Sequence, residues 1–111
     1  MQSILYFTTR KMQKLTFFLW LNDKDSKIQK FDSIEAYKLV INYVWSYFGG
    51  GTISSAQGFF KHEDGTVVIE NSIRIETISD LPYGEFINHL KTLFNQESIL
   101  VEKQNLEISF E

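Results

Sequence analysis

His62 and His89 are the only imidazoles in the chain, so histidine-based proton transfer near neutral pH would rest on them. A metal-independent ribonuclease can be assembled around them, with His62 or His89 as general base or acid and Lys61 or Arg74 stabilising a phosphorane. Glu70 would be the partner carboxylate and Tyr83 an auxiliary donor. These residues follow no recognisable spacing, and the ribonuclease is kept as a second functional reading. His62-Glu63-Asp64 does not make a metal site, because successive side chains on a strand cannot turn to one point. Ser54 and Ser55 sit in strand context without a nucleophile elbow, so acyl transfer has no support. The absence of Cys removes thiolate nucleophiles, iron–sulfur clusters and disulfides. Gly49-Gly50-Gly51 would cradle a phosphate only after a strand and before a helix. Here a helix comes first and a strand follows, so the triplet reads as a C-cap and reversal. Residue types therefore assign no catalytic residue, no metal ligand and no cofactor site, and they point away from an enzyme.

Charge and size narrow the remaining classes. With 111 residues, 43% hydrophobic and 15% aromatic, the chain has material for one core, so 1–111 is read as a single domain. The net charge of -3 conceals an asymmetry: residues 1–61 carry four more positive than negative charges, and residues 62–111 carry seven more negative than positive. The basic residues Arg10, Lys11, Lys14, Lys24, Lys27 and Lys30 are scattered, which argues against direct duplex DNA binding. The acidic second half suits a basic partner, such as a nucleic-acid-binding protein or ribonucleoprotein. Arg10, Lys11 and Lys14 precede the apolar run 15–21, but Asn22-Asp23-Lys24-Asp25 follows in place of a cleavage site, so the run reads as a strand. No stretch approaches the roughly 20 apolar residues that cross a bilayer. A cytoplasmic protein without membrane contact is expected.

The elements that would position these residues follow from periodicity. A strand is predicted over 13–22, with Leu15, Phe17, Leu19 and Leu21 on one face. Residues 1–12 read as an N-terminal extension or an edge strand through Ile4, Tyr6 and Thr8, with Met12 an alternative start. Asp32 and Glu35 have the spacing of a capping box for a helix over 33–48. Its apolar stripe is read as Ile34, Tyr37, Ile41, Val44 and Phe48, widened by Val40 and Trp45. Strands over 52–62 and 66–78 flank a Glu63-Asp64-Gly65 turn. Asp80-Leu81-Pro82 opens a second helix, which buries Phe86, Ile87, Leu90, Leu93 and Phe94. Residues 98–110 are one long strand with a bulge, or two strands meeting near Lys103-Gln104-Asn105.

The order β-α-β-β-α-β predicts an α+β, ferredoxin-like domain, a four-stranded antiparallel sheet with two helices on one face. Its other face is open, and Phe18, Trp20 and Phe60 supply aromatic side chains to it. On the second hairpin strand Glu70, Ser72, Arg74 and Glu76 face water or a partner. RNA-binding domains of this architecture stack bases on such aromatics, but the basic glycine-aromatic signature is absent, which favours homodimerisation or partner docking. The residues expected to meet a partner are Glu63, Asp64, Glu70 and Glu76, with Trp20 and Phe18.

The segments Tyr47-Phe48-Gly49-Gly50-Gly51-Thr52-Ile53, Gln57-Gly58-Phe59-Phe60, Asp64-Gly65, Glu70-Asn71-Ser72 and Phe94-Asn95-Gln96-Glu97-Ser98-Ile99-Leu100 occur in this order. In them the chain resembles a bacterial family of small proteins of unknown function, a resemblance that implies the same βαββαβ fold and supplies no catalytic residues. Size, acidity, absence of Cys and Lys/Ile/Asn/Phe-rich usage also resemble accessory proteins of phages, plasmids and conjugative elements, including anti-CRISPR inhibitors of type II RNA-guided nucleases. The functional expectation is accordingly a non-enzymatic interaction module, an inhibitor of a nucleic-acid-binding defence complex such as a CRISPR effector nuclease. A third reading is a dimeric domain that binds a small ligand between sheets.

Overall fold

Asp32 starts the first helix in the way its spacing predicts: its side chain accepts from the Glu35 N–H at 2.8 Å. Gly49 ends the helix in the left-handed region at φ 80°, and its N–H donates to the Trp45 carbonyl. The computed structural model describes residues 9–111. Along them run β1 (Thr9–Trp20), α1 (Ser33–Phe48), β2 (Thr52–Lys61), β3 (Val67–Ser79), α2 (Gly84–Phe94) and β4 (Leu100–Ser109). The sheet order is β2-β3-β1-β4 with every neighbour antiparallel, the predicted ferredoxin-like arrangement. Ile4, Tyr6 and Thr8 lie outside the described residues. Residues 9–12 form no separate edge strand but lengthen β1, where Thr9 pairs with Ser109 and Met12 with Leu106. β4 is one continuous strand.

The core lies between the sheet and both helices. Leu15, Phe17 and Leu19 of β1 and Ile73 and Ile75 of β3 pack against Ala36, Val40 and Val44 of α1 and Phe86, Leu90 and Phe94 of α2. Burying each of the larger side chains stabilises the fold by about 1.5–3 kcal/mol. The buried stripe of α1 differs from the expected one, since Ile34, Ile41 and Trp45 are exposed. Two adjacent arcs of this helix are apolar, and periodicity alone cannot choose between them. Packing settles the matter, since Ala36, Val40 and Val44 are the α1 residues buried in the core, while Tyr37, partly buried, donates its hydroxyl to the Ile53 carbonyl at 2.6 Å.

The β2–β3 hairpin also departs from expectation. Gly65 turns it at φ 91°, as its position predicts. Helices cover the apolar face of β3 only from Ile73 onward, so Ile69 and Phe59 opposite it stay 65% and 78% exposed. On the other face Glu70 and Ser72, expected to face water or a partner, are only 9% and 4% exposed.

Candidate functional site

Glu70 and Ser72 lose their water to two aromatic rings from the flanking strands. β3 lies between β2 and β1, yet Trp20 of β1 and Phe60 of β2 stack on each other, with centroids 5.5 Å apart and planes at 9°. The indole reaches as far as Gly58 of β2, the residue opposite Glu70 in the register. A Cβ on Gly58 would lie 3.3 Å from Trp20 Cε2, which is why the strand carries a glycine at its centre. The alternation of β1 thus serves two ends. Its odd side chains build the core, and its even ones, Phe18 and Trp20, build the floor of a pocket.

That pocket has a volume of about 430 Å³ and opens on the face without helices. Phe18, Trp20, Phe60, Val68 and Leu100 make it apolar, Glu70 is its buried carboxylate, and His62, Lys24, Lys27 and Glu97 stand among its lining residues. Glu70 Oε2 accepts from the Asn22 backbone N–H at 3.0 Å. A cleft of this size, with aromatic side chains beside a buried carboxylate, suits a small organic ligand with a cationic centre, which the carboxylate and the ring faces would both attract.

The loop after β1 forms one wall. Asp23 Oδ1 accepts from the Asp25 and Ser26 N–H groups at 2.8 and 3.0 Å, and Asp23 Oδ2 accepts from Asn95 Nδ2 at 2.9 Å. The Ser26 amide, then the Asn95 side chain and the Asp25 amide, hold the Asp23 carboxyl down at about 2, from an ordinary value of 3.8. A depressed carboxylate pKa stabilises the folded loop fully above the unfolded value, and that contribution fades as pH falls from about 4 toward 2. The Asp25 and Ser26 amide resonances are therefore expected to titrate with a midpoint of about 2. A midpoint at 3.8 would show that Asp23 does not hold this loop.

The residues singled out from sequence are divided between this pocket and other parts of the fold. Phe18, Trp20 and Glu70 come together in the pocket, but Glu76 does not join them. It pairs with Arg74 and, at 3.5 Å, with Lys14. Glu63 and Asp64 sit in the hairpin turn, where Thr66, through its backbone N–H and then its hydroxyl, lowers the Asp64 carboxyl below the usual range. The ribonuclease constellation is not assembled. His62 lines the pocket, whereas His89 lies among the helices with its Nδ1 2.7 Å from the Tyr47 hydroxyl. Burial pushes that hydroxyl up, with Glu85 and then Tyr43 adding to the effect. Tyr83 packs edge-on against Phe17 in the core. Residue-type reasoning missed Asn22, Asp23, Asn95 and Gln96, although Asn95 and Gln96 belong to one of the segments that carry the resemblance. Among the described residues no cluster of three or more His, Cys, Asp or Glu could hold a metal, and no helix is long and apolar enough to cross a membrane.

No protein-family model matches the chain, and no curated protein matches it either. Among solved structures it is similar to a phage SAM lyase in complex with S-methyl-5'-thioadenosine, at 22% identity and a TM-score of 0.57, covering 90% of this chain and 91% of that one. It is also similar to a phage SAM lyase in the apo state, at 21% identity and a TM-score of 0.58, covering 91% of each chain. At this identity the likeness establishes the fold. It also corrects the expectation of a non-enzymatic inhibitor module, because the neighbours are structures of an enzyme. Composition misled here for a physical reason: net charge averages over a surface and is blind to a pocket. The acidic side chains are dispersed among a turn, an ion-paired row and a buried position, and the open face presents a ligand-sized cleft instead.

Proposed function

We propose that the chain is an enzyme that cleaves S-adenosylmethionine (SAM) at its sulfonium, releasing S-methyl-5'-thioadenosine. The observation that carries this reading is the buried Glu70 carboxylate beside the Trp20–Phe60 stack in a pocket sized for a nucleoside. The similarity to phage SAM lyase structures supports it. The aromatic pair offers a ring face to adenine, and Glu70 faces the sulfonium, a cation without N–H donors that is recognised by charge alone.

The bond that separates S-methyl-5'-thioadenosine from the rest of SAM joins the sulfonium sulfur to the γ-carbon of the amino-acid chain. When it breaks, sulfur takes the bonding pair and becomes neutral, so the γ-carbon must gain another bond. Without water as a reactant, the substrate's own carboxylate oxygen attacks the γ-carbon and closes a lactone, and no proton has to move. The negative and positive charges cancel as the reaction proceeds, so apolar walls that strip water from both favour it. Phe18, Trp20, Phe60, Val68 and Leu100 provide such walls. Glu70 stabilises the sulfonium more than the neutral sulfur that replaces it. Its contribution therefore lies in selecting the cation and holding the chain in an attack geometry, not in breaking the bond. The neutral product has lost the charge that Glu70 holds, which eases its release.

The test is incubation of the purified chain with SAM labelled on the methyl group. Label is expected in S-methyl-5'-thioadenosine, separated by chromatography. Intact SAM, or label transferred to a protein or nucleic acid with S-adenosylhomocysteine as the other product, would overturn the reading.

A further inference from the structure

Asn22 uses both of its backbone polar groups across the fold. Its N–H donates to Glu70 Oε2 at 3.0 Å, and its carbonyl accepts from Gln96 Nε2 at 2.6 Å. Gln96 follows the C-cap of α2, Asn95, which adopts the left-handed conformation at φ 50° and donates its N–H back to the helix. The Asn95 side chain then reaches the loop after β1, with Nδ2 2.9 Å from both Asp23 Oδ2 and Asp25 Oδ2. The Asn95 carbonyl accepts from the Lys24 N–H at 3.0 Å. Within the same loop Lys27 is held in the left-handed region at φ 63°, a conformation that a lysine keeps only where its surroundings impose it. The loop is thus stapled to the end of α2, and the stapled peptide orients the carboxylate of the pocket.

We infer that Asn95 is a positioning residue: by clamping the Asp23–Lys27 loop to the C-cap of α2, it fixes the Asn22 amide that aims Glu70 at the substrate's sulfonium. The inference rests on the proposed SAM-cleaving function. Asn95 is not among the residues that line the pocket, so it acts through Asn22 and Glu70 rather than by touching the substrate. It also gives a physical role to the segment Phe94-Asn95-Gln96-Glu97-Ser98, in which Asn95 and Gln96 latch the loop while Gln96, Glu97 and Ser98 line the pocket.

The discriminating readout is charge selectivity at the sulfur position. Sinefungin carries an amine cation there and S-adenosylhomocysteine a neutral thioether, and the two are otherwise closely matched. The wild-type chain is expected to bind sinefungin more tightly. Asn95→Gly keeps the left-handed backbone without strain and removes only the side-chain clamp. It is expected to shrink the ratio of the two affinities about tenfold and to lower kcat by about 10- to 100-fold, as a displaced catalytic geometry does, with S-adenosylhomocysteine binding little changed. A merely structural role would weaken both ligands alike, and that outcome, or an unchanged ratio, would overturn the inference. Asn95→Asp is the second variant. It preserves shape but sets a carboxylate against those of Asp23 and Asp25, and it should shrink the ratio further. A wild-type chain that leaves SAM intact sinks the proposed function, and this inference with it. A wild-type chain that cleaves SAM, alongside variants with unaltered charge selectivity, sinks the positioning role alone.

Discussion

Glu70→Gln is expected to lower kcat/KM for the release of S-methyl-5'-thioadenosine from SAM by about 100-fold, which corresponds to about 2.7 kcal/mol of transition-state stabilisation. The substitution keeps the shape of the side chain, and its amide oxygen still accepts from the Asn22 N–H. Only the charge is lost. The magnitude follows from the site: Glu70 is 9% exposed and lies beside the Trp20 and Phe60 rings, where water does not screen its attraction for a cation as it would at the surface. Loss should fall on both parameters, with KM rising because the cation is no longer attracted and kcat falling because the amino-acid chain is no longer oriented. S-methyl-5'-thioadenosine carries no charge, so its affinity should change far less. Equal activity in Glu70→Gln would remove the carboxylate from the mechanism, while an equal loss of affinity for substrate and product would mean that the substitution had damaged the pocket as a whole.

The second large effect is on stability. Phe86→Ala is expected to cost about 3–5 kcal/mol in urea unfolding, because it removes a fully buried ring and leaves a cavity that its neighbours cannot fill. Phe86 contacts Phe17 of β1 and Phe48 of α1 at centroid distances of 5.0 Å each, and Tyr47 at 5.7 Å. It therefore joins both helices to the central strand. The same strand presents Phe18 and Trp20 to the pocket, and α2 ends in the residues that hold the pocket's wall. A loosened core should consequently loosen the site, and ligand should restore part of the lost stability by mass action. A cost below about 1 kcal/mol would show that the aromatic cluster repacks around the gap.

Most of the fold was legible because the forces that choose it act locally. Asp32 and Glu35 mark the start of α1, and Gly49 marks its end, through hydrogen bonds that span only a few residues. Asp64 and Gly65 specify the hairpin turn in the same way, and the alternation of β1 shows that both of its faces carry apolar side chains. Where two solutions satisfied the same local rule, sequence reasoning chose wrongly. The apolar stripe of α1 includes Val40 and Val44, which the core buries, but periodicity also admits Ile34, Ile41 and Trp45, which packing leaves exposed while it buries Ala36. The aromatics Phe18, Trp20 and Phe60 do lie on the open face, as their alternation predicts, and the glycine in the middle of β2 is the one sequence hint that the Trp20 indole reaches across to that strand.

The pocket was a different matter. Periodicity, caps and turn residues determined the six elements, their order and the topology that brings β1 to the centre of the sheet, since each depends on neighbours close along the chain. Tertiary structure decided the site, because its parts arrive from three distant stretches: residues 18–27, residues 60–70 and residues 96–100. Strand register sets Glu70 opposite Gly58, the indole of Trp20 crosses β3 to cover it, and the cap of α2 supplies the hydrogen bonds that hold the loop beside it. A carboxylate acquires its chemistry from burial and from the atoms that face it, and those are properties of the assembled chain rather than of any segment of it.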